Sequence, residues 1–229
     1  MTSTSAGSGR ISCLIVLPSC AGGVSSQSFI QCFTLTHSAF TVQLATPGGR
    51  TPEFINQDEQ SRRWLNDFRS KPFSVPLSLE IIDANRYMCL LIPHAPGAVT
   101  DLATNADLGQ ILMHFIKEKK LICAIGTGVA GLLSAKNEEN SSWGFKSYSI
   151  TGSSICELAR RSDFADMPLL VEDAVRDAGA TFSLSEPYCV HVVVDRHLVT
   201  GQNEASTLTA VQNLVLLSNQ SRQGKGSSK

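Results

Sequence analysis

Residues 121–128 read Leu-Ile-Cys-Ala-Ile-Gly-Thr-Gly, a buried-type apolar run that breaks into a glycine-flanked turn ahead of a helical stretch. This is the shape of a nucleophile elbow, a strained turn that presents a Ser or Cys side chain at the carboxyl edge of a sheet. The tip residue is Gly126, which has no side chain with which to attack a substrate. Its neighbour, Thr127, offers only a hydroxyl, and a hydroxyl cannot take a proton near neutral pH. The sequence therefore predicts an enzyme-like scaffold without its reaction. Glycine at such a tip has a physical advantage, because elbow residues sit in sparsely allowed backbone regions at a cost of about 1–3 kcal/mol that glycine relieves. A chain released from catalysis gains stability by that change.

The other groups that could do chemistry are scattered. Seven cysteines lack CxxC spacing, and Cys13, Cys89 and Cys123 fall in expected buried strands, where Cys serves as a small apolar residue. Cys20, beside Gly22-Gly23, is the thiol with a better claim to reactivity. The five histidines, at 37, 94, 114, 191 and 197, show no metal-ligand spacing, so no metal is expected. His94 stands apart because the loop that carries it should face the elbow. Gly126-Thr127-Gly128 lacks the Lys and the longer glycine spacing of a phosphate loop, and nothing points to a cofactor. The sequons at Asn140 and Asn219 are read as chance matches, because the N-terminus has no secretory pattern.

Elements must position these residues. At 229 residues with 42% hydrophobic and 17% charged content, the chain has enough apolar surface for one sizeable domain. The net charge of -1 gives no basic footprint for autonomous nucleic-acid binding, and no apolar run approaches the roughly 18–20 residues of a membrane span. Short β-branched runs at 13–17, 41–45, 88–92, 121–125 and 190–194 alternate with helical patterns, which predicts an α/β sandwich with a mainly parallel sheet and helices on both faces. One helix carries Leu108, Ile111, Leu112, Phe115 and Ile116 on one face and ends in cations. Another is expected to begin at Pro168 and stop at Gly179, and a last one repeats Leu208, Val211 and Val215. The segment 50–79 reads as a helix-bearing insertion whose Trp64, Leu65 and Phe68 belong to the core. The domain is expected over 11–217, between flexible tails at 1–10 and 218–229.

In this order the segments resemble the ThiJ/PfpI superfamily, the class I glutamine-amidotransferase-like proteins that include the Parkinson disease protein 7 domain. The most specific stretch is Asp195-Arg196-His197-Leu198-Val199-Thr200-Gly201-Gln202-Asn203-Glu204-Ala205-Ser206, which is similar to the family's strand-to-helix signature. Ala45-Thr46-Pro47-Gly48-Gly49, Ile92-Pro93 through Gly97 with Asp101-Leu102, Ile150-Thr151-Gly152 and Pro168 through Asp173 support it. The resemblance implies a flavodoxin-like three-layer fold. It also implies what is missing. The family's nucleophilic Cys aligns with Gly126, its adjacent His with Thr127, and a supporting acid with Gln27. The oxyanion turn is altered to Pro93-His94-Ala95-Pro96-Gly97, in which Ala95 keeps an amide and Pro96 has none. Glu157 lies one residue from a triad acid of some members and, with no base to orient, reads as a helix-surface carboxylate.

Within the superfamily the chain resembles a vertebrate subfamily on Val24-Ser25-Ser26-Gln27-Ser28-Phe29, Ser147-Tyr148-Ser149 and the 195–203 signature. That subfamily has Gly at the elbow tip but keeps a His where this chain has Thr127. The resemblance implies a subunit of the FERRY complex, an early-endosomal Rab effector linked to mRNA transport, in the cytoplasm and peripheral to early endosomes, with protein partners and a possible homo-oligomer. Phe29, Phe33, Trp64 and Phe68 are the first candidates for its interface, with the core as the equal alternative for each. A residual hydrolase or glyoxalase-like enzyme using Cys20, His94 or Glu157, and a small-molecule sensor using the vestigial pocket of His94, Ala95, Gly126 and Thr127, are the alternatives.

Overall fold

Runs of Val, Ile and Leu with no room for a polar face form the middle of the sheet. In the computed structural model, which describes residues 11–137 and 142–226, β1 (Ser12–Val16), β6 (Cys89–Ile92) and β7 (Leu121–Ile125) are buried almost throughout. Strands covered on both faces read as continuous apolar segments. The remaining strands are β2 (Val24–Ser25), β3 (Thr41–Thr46), β4 (Phe54–Ile55), β5 (Leu77–Ser78), β8 (Ser149–Ile150), β9 (Thr181–Phe182), β10 (Val192–Asp195) and β11 (Leu198–Gly201). The helices are α1 (Ser26–Ala39), α2 (Glu59–Arg69), α3 (Ala98–Asp101), α4 (Ala106–Lys117), α5 (Ile155–Leu158), α6 (Val171–Asp177) and α7 (Thr207–Gly226). The expected N-terminal tail at 1–10 and the sequon at Asn140 lie outside the described residues.

Seven strands form one sheet in the order β10-β11-β7-β6-β1-β3-β5. All its neighbours run parallel except β10, which pairs antiparallel with β11. Helices cover both faces, with α1 packed on α7 and α4 packed on the segment after β7. The fold is therefore the α/β sandwich expected from the alternation of strands and helices, with the flavodoxin-like layering that the resemblance implies.

Several local expectations are corrected. The strand expected at 190–194 begins at Val192 and turns through Arg196, at φ +58°, into β11. The signature read as strand-to-helix is thus a hairpin arm as well. The helix expected from Pro168 begins at Val171, with Leu170 at the N-cap position and no side-chain cap. The segment after the elbow is 3-10 in character over Gly126–Ser134, where glycines at 126, 128 and 131 disfavour a regular α-helix. α7 continues to Gly226, past the boundary expected at 218, and Ser218 is buried with its hydroxyl donating to the Val215 carbonyl.

The aromatic residues proposed as interface anchors are core. Phe29, Phe33 and Phe68 are buried, and they form one cluster with Phe54, Trp64 and Phe73 between α1 and α2. Only Trp64 of the four is part-exposed. Cys13, Cys32, Cys89 and Cys123 are buried too. Cys13 and Cys89 are register partners on adjacent strands. Burial pushes the Cys89 thiol up to about 12 and raises the other three as well, so none of the four supplies a thiolate near neutral pH.

Candidate functional site

Adjacent parallel strands deliver their following loops to the same edge. β6 and β7 pair with Ile92 opposite Ala124, so the turn carrying His94 and the turn carrying Gly126 meet beyond the carboxyl ends of the sheet, where ligands of open α/β folds bind. The strained elbow is present: Gly126 has φ +56°, a conformation that costs a side chain-bearing residue about 1–3 kcal/mol. A second constraint accompanies it. A Cβ atom built at Gly126 falls on Nδ1 of His94 and within 3.0 and 3.1 Å of its Cγ and Cε1. The imidazole thus fills the place that a nucleophile's side chain would need.

His94 is fixed from both sides. Its amide donates to Ser28 Oγ at 3.0 Å and its carbonyl accepts from the Ser25 amide at 3.0 Å, which ties the turn to the first turn of α1. On the ring, the Thr127 amide donates to Nδ1 at 3.2 Å, and Thr127 Oγ1 lies 3.3 Å from the same nitrogen. An accepting Nδ1 places the proton of the neutral ring on Nε2. Burial, with Arg161 adding repulsion, pushes the His94 pKa down to about 4. The imidazole is accordingly uncharged at neutral pH, held as an acceptor by the elbow's own backbone.

This shift fixes a pH dependence. The folded pKa near 4 lies below an unfolded value near 6.5, so between these pH values the unfolded chain binds the extra proton. The contribution is complete above about pH 6.5, declines on acidification and is lost below about pH 4, with a span of about 3 kcal/mol. Denaturant midpoints measured from pH 7 to pH 4 should fall accordingly, and His94→Asn should flatten that part of the profile. An unchanged slope in the variant would show that His94 is not the group responsible.

Beside His94 and Thr127 lies a cavity of about 230 Å³ whose walls include Pro96, Leu158, Arg161 and Met167. Arg161 is already engaged, donating through Nε and Nη2 to Asp163 at 2.8 and 2.7 Å. Ala95 is fully buried and does not line this cavity. Gln27 is exposed on α1 and faces a different cavity. The residues that reach the His94 turn from this end are Ser25, the N-cap of α1, and Ser28 in its first turn, three residues apart. Cys20 donates its thiol to the Gly97 carbonyl at 3.3 Å.

Glu157 is the largest correction. It is 7% exposed rather than on a helix surface. Its Oε1 accepts from the Tyr188 amide at 2.6 Å, Gln202 Nε2 at 2.9 Å and Asn203 Nδ2 at 2.7 Å. The carboxylate therefore fastens α5 to the loop before β10 and to the Gln202-Asn203 step that follows β11. The pattern Ser154-x-x-Glu157 suggests a capping box, and Ser154 Oγ does accept the Glu157 amide at 3.3 Å, but the glutamate side chain turns inward to donors that lie far away in sequence. Among the described residues no group of three or more His, Cys, Asp or Glu side chains could hold a metal ion.

The chain is 56% identical over 208 residues to human glutamine amidotransferase-like class 1 domain-containing protein 1, covering 91% of this chain and 94% of the human protein. It belongs to that protein family. The Danio rerio member is 49% identical over 207 residues, covering 90% of this chain and 96% of that protein. No protein-family model matches the chain. Among solved structures, glyoxalase III of Candida albicans superposes with a TM-score of 0.80 at 19% identity, covering 92% of this chain and 98% of that one. Rapid Encystment Protein 24 KDa of Francisella tularensis gives 0.79 at 20% identity, covering 90% and 98%. A ThiJ/PfpI domain protein of Brachyspira murdochii gives 0.66 at 16%. At these identities the likeness is one of fold. For this member of the family, the fold places a glycine and a neutral histidine where the elbow geometry would present a nucleophile.

Proposed function

We propose that this member of the glutamine amidotransferase-like class 1 domain-containing protein 1 family is a non-catalytic protein that works through its surface, as a subunit of a multiprotein complex. The observation that carries the reading is the elbow: Gly126 keeps the strained backbone at φ +56° with no side chain, and the His94 ring occupies the space in front of it. Cys20, His94 and Glu157, the groups left for an enzyme, are each engaged with different partners. The resemblance at subfamily level makes the early-endosomal FERRY assembly the complex of choice. No helix among the described residues is long and apolar enough to cross a membrane; on this reading endosomal association comes through protein partners.

The interface is sought on exposed apolar side chains rather than on the buried aromatic cluster. Val75 and Ile81, 66% and 68% exposed, flank the edge strand β5. Val75→Glu with Ile81→Glu should abolish co-purification of FERRY subunits from cells while leaving the melting temperature within a few degrees, because exposed substitutions cost little stability. Recovery of the same subunits by the variant would move the interface elsewhere, and their absence from gentle purifications of the unaltered chain would refute the subunit reading. A small-molecule sensor is the second reading, favoured by the 230 Å³ cavity beside His94 and Thr127.

A further inference from the structure

A second cavity is larger than the one at the elbow. It measures about 390 Å³ and lies between the first turns of α1 and α2, within the size range of small-molecule sites. Ile30 and the part-exposed Trp64 supply its apolar wall. Four carboxamides, Gln27, Gln31, Asn56 and Gln60, line its rim, Gln27, Asn56 and Gln60 being exposed to solvent, and none of them is hydrogen-bonded through its side chain to another described residue. The hydroxyls at its rim are engaged instead: Ser26 Oγ donates to the Asn56 carbonyl at 3.0 Å and Ser61 Oγ to the Asp58 carbonyl at 3.1 Å. Ser26 thereby holds Asn56 in place at φ +55°.

The chemistry of this lining selects a ligand class. Each carboxamide offers a donor and an acceptor side by side, which matches adjacent hydroxyls or an acetamido group. No Lys, Arg or His lines the cavity, and the one charged residue, Asp58, already accepts the Ser61 amide at 2.7 Å as the cap of α2. An anionic ligand would meet a carboxylate and no counter-charge. An indole beside neutral hydrogen-bonding groups suits a ring with one apolar and one hydroxylated side. We propose that this cavity is a binding site for a neutral sugar ring, with Trp64 as its apolar wall and Gln27, Gln31, Asn56 and Gln60 as its hydrogen-bonding rim. The site is separate from the elbow and does not depend on whether the chain is a complex subunit.

Trp64 supplies the readout. It is one of two tryptophans, and the other, Trp143, is buried with its indole N–H donated to the Leu132 carbonyl at 2.7 Å. Full-length protein is titrated with glucose and with N-acetylglucosamine, following tryptophan fluorescence and saturation transfer to the sugar protons, with glucuronate as the anionic control. A saturable response to at least one neutral sugar, at about millimolar concentration for so open a site, is the expected result. Glucuronate should bind more weakly. Gln27→Ala with Gln31→Ala should weaken binding about tenfold or more by removing two hydrogen-bonding groups, while Thr127→Val in the elbow cavity leaves it unchanged. If the double variant fails to fold, Gln60→Ala in the exposed first turn of α2 carries the same test. No saturable response to either neutral sugar, equal affinity for glucuronate, or full binding by the rim variants would each overturn the proposal.

Discussion

Gly126→Cys should lower the stability of the chain by about 2–6 kcal/mol and leave it without activity. Two separate costs add to this. The backbone at φ +56° charges a side chain-bearing residue about 1–3 kcal/mol, and displacing the His94 ring from the space a Cβ needs costs about 1–3 kcal/mol more, the range for overpacking. A double-mutant cycle separates them. In a His94→Ala background the crowding cost should disappear and the backbone cost remain, so the same substitution should cost only about 1–3 kcal/mol there. Urea midpoints at constant m-value give the four stabilities. A Gly126→Cys chain as stable as the parent would mean that the turn relaxes freely and that neither constraint operates.

Glu157→Ala should be at least as severe. One oxygen accepts from three donors, and two of those belong to Gln202 and Asn203, which are 0% and 8% exposed. Removing the acceptor leaves one N–H of each buried carboxamide without its partner, while Gln202 Nε2 and Asn203 Nδ2 still donate to the Ser185 and Cys189 carbonyls; at about 1–3 kcal/mol each the expected loss is about 2–6 kcal/mol, a large part of the roughly 5–15 kcal/mol that holds a typical domain together. Glu157→Gln retains an oxygen that can face the same donors, so its loss should stay near 1–2 kcal/mol. Equal losses in the two variants would mean that the charge, not the acceptor geometry, is what matters. A loss under about 1 kcal/mol for Glu157→Ala would show that the loop before β10 finds other partners.

The same residue shows where the sequence stops being informative. Its neighbours in the chain spell a capping box, a local signal with a local meaning, while its partners at 188, 202 and 203 are brought to it only by folding. Gln27 failed for a related reason. A one-residue uncertainty in register rotates a helical side chain by about 100°, enough to move it from the elbow to the sugar-sized cavity, and Ser28 is the residue that reaches His94. The aromatic residues of α1 and α2 could be read either as core or as interface, because hydrophobicity alone does not say whether a partner is the protein's own sheet or another chain.

Other features were legible because their causes are local. Continuous apolar runs such as 121–125, short and ended by a glycine turn, read as doubly covered strands, and β7 matches that expectation end to end. The α4 face carrying Leu108, Ile111, Leu112 and Phe115 is buried as its 3.6-residue period requires. The absence of a side chain at the elbow tip was evident from one letter. That a histidine two residues past the neighbouring strand fills the space was not, since it depends on the pairing of β6 with β7.

The most direct test of a non-catalytic role is turnover by the purified full-length chain, assayed on a 2-oxoaldehyde at neutral pH with glyoxalase III of Candida albicans as the positive control. With Gly126 at the tip, and His94 neutral and engaged through Nδ1, consumption should equal that in buffer at every enzyme concentration. Saturable turnover that scales with enzyme and is lost on Cys20→Ala or His94→Ala would contradict the account.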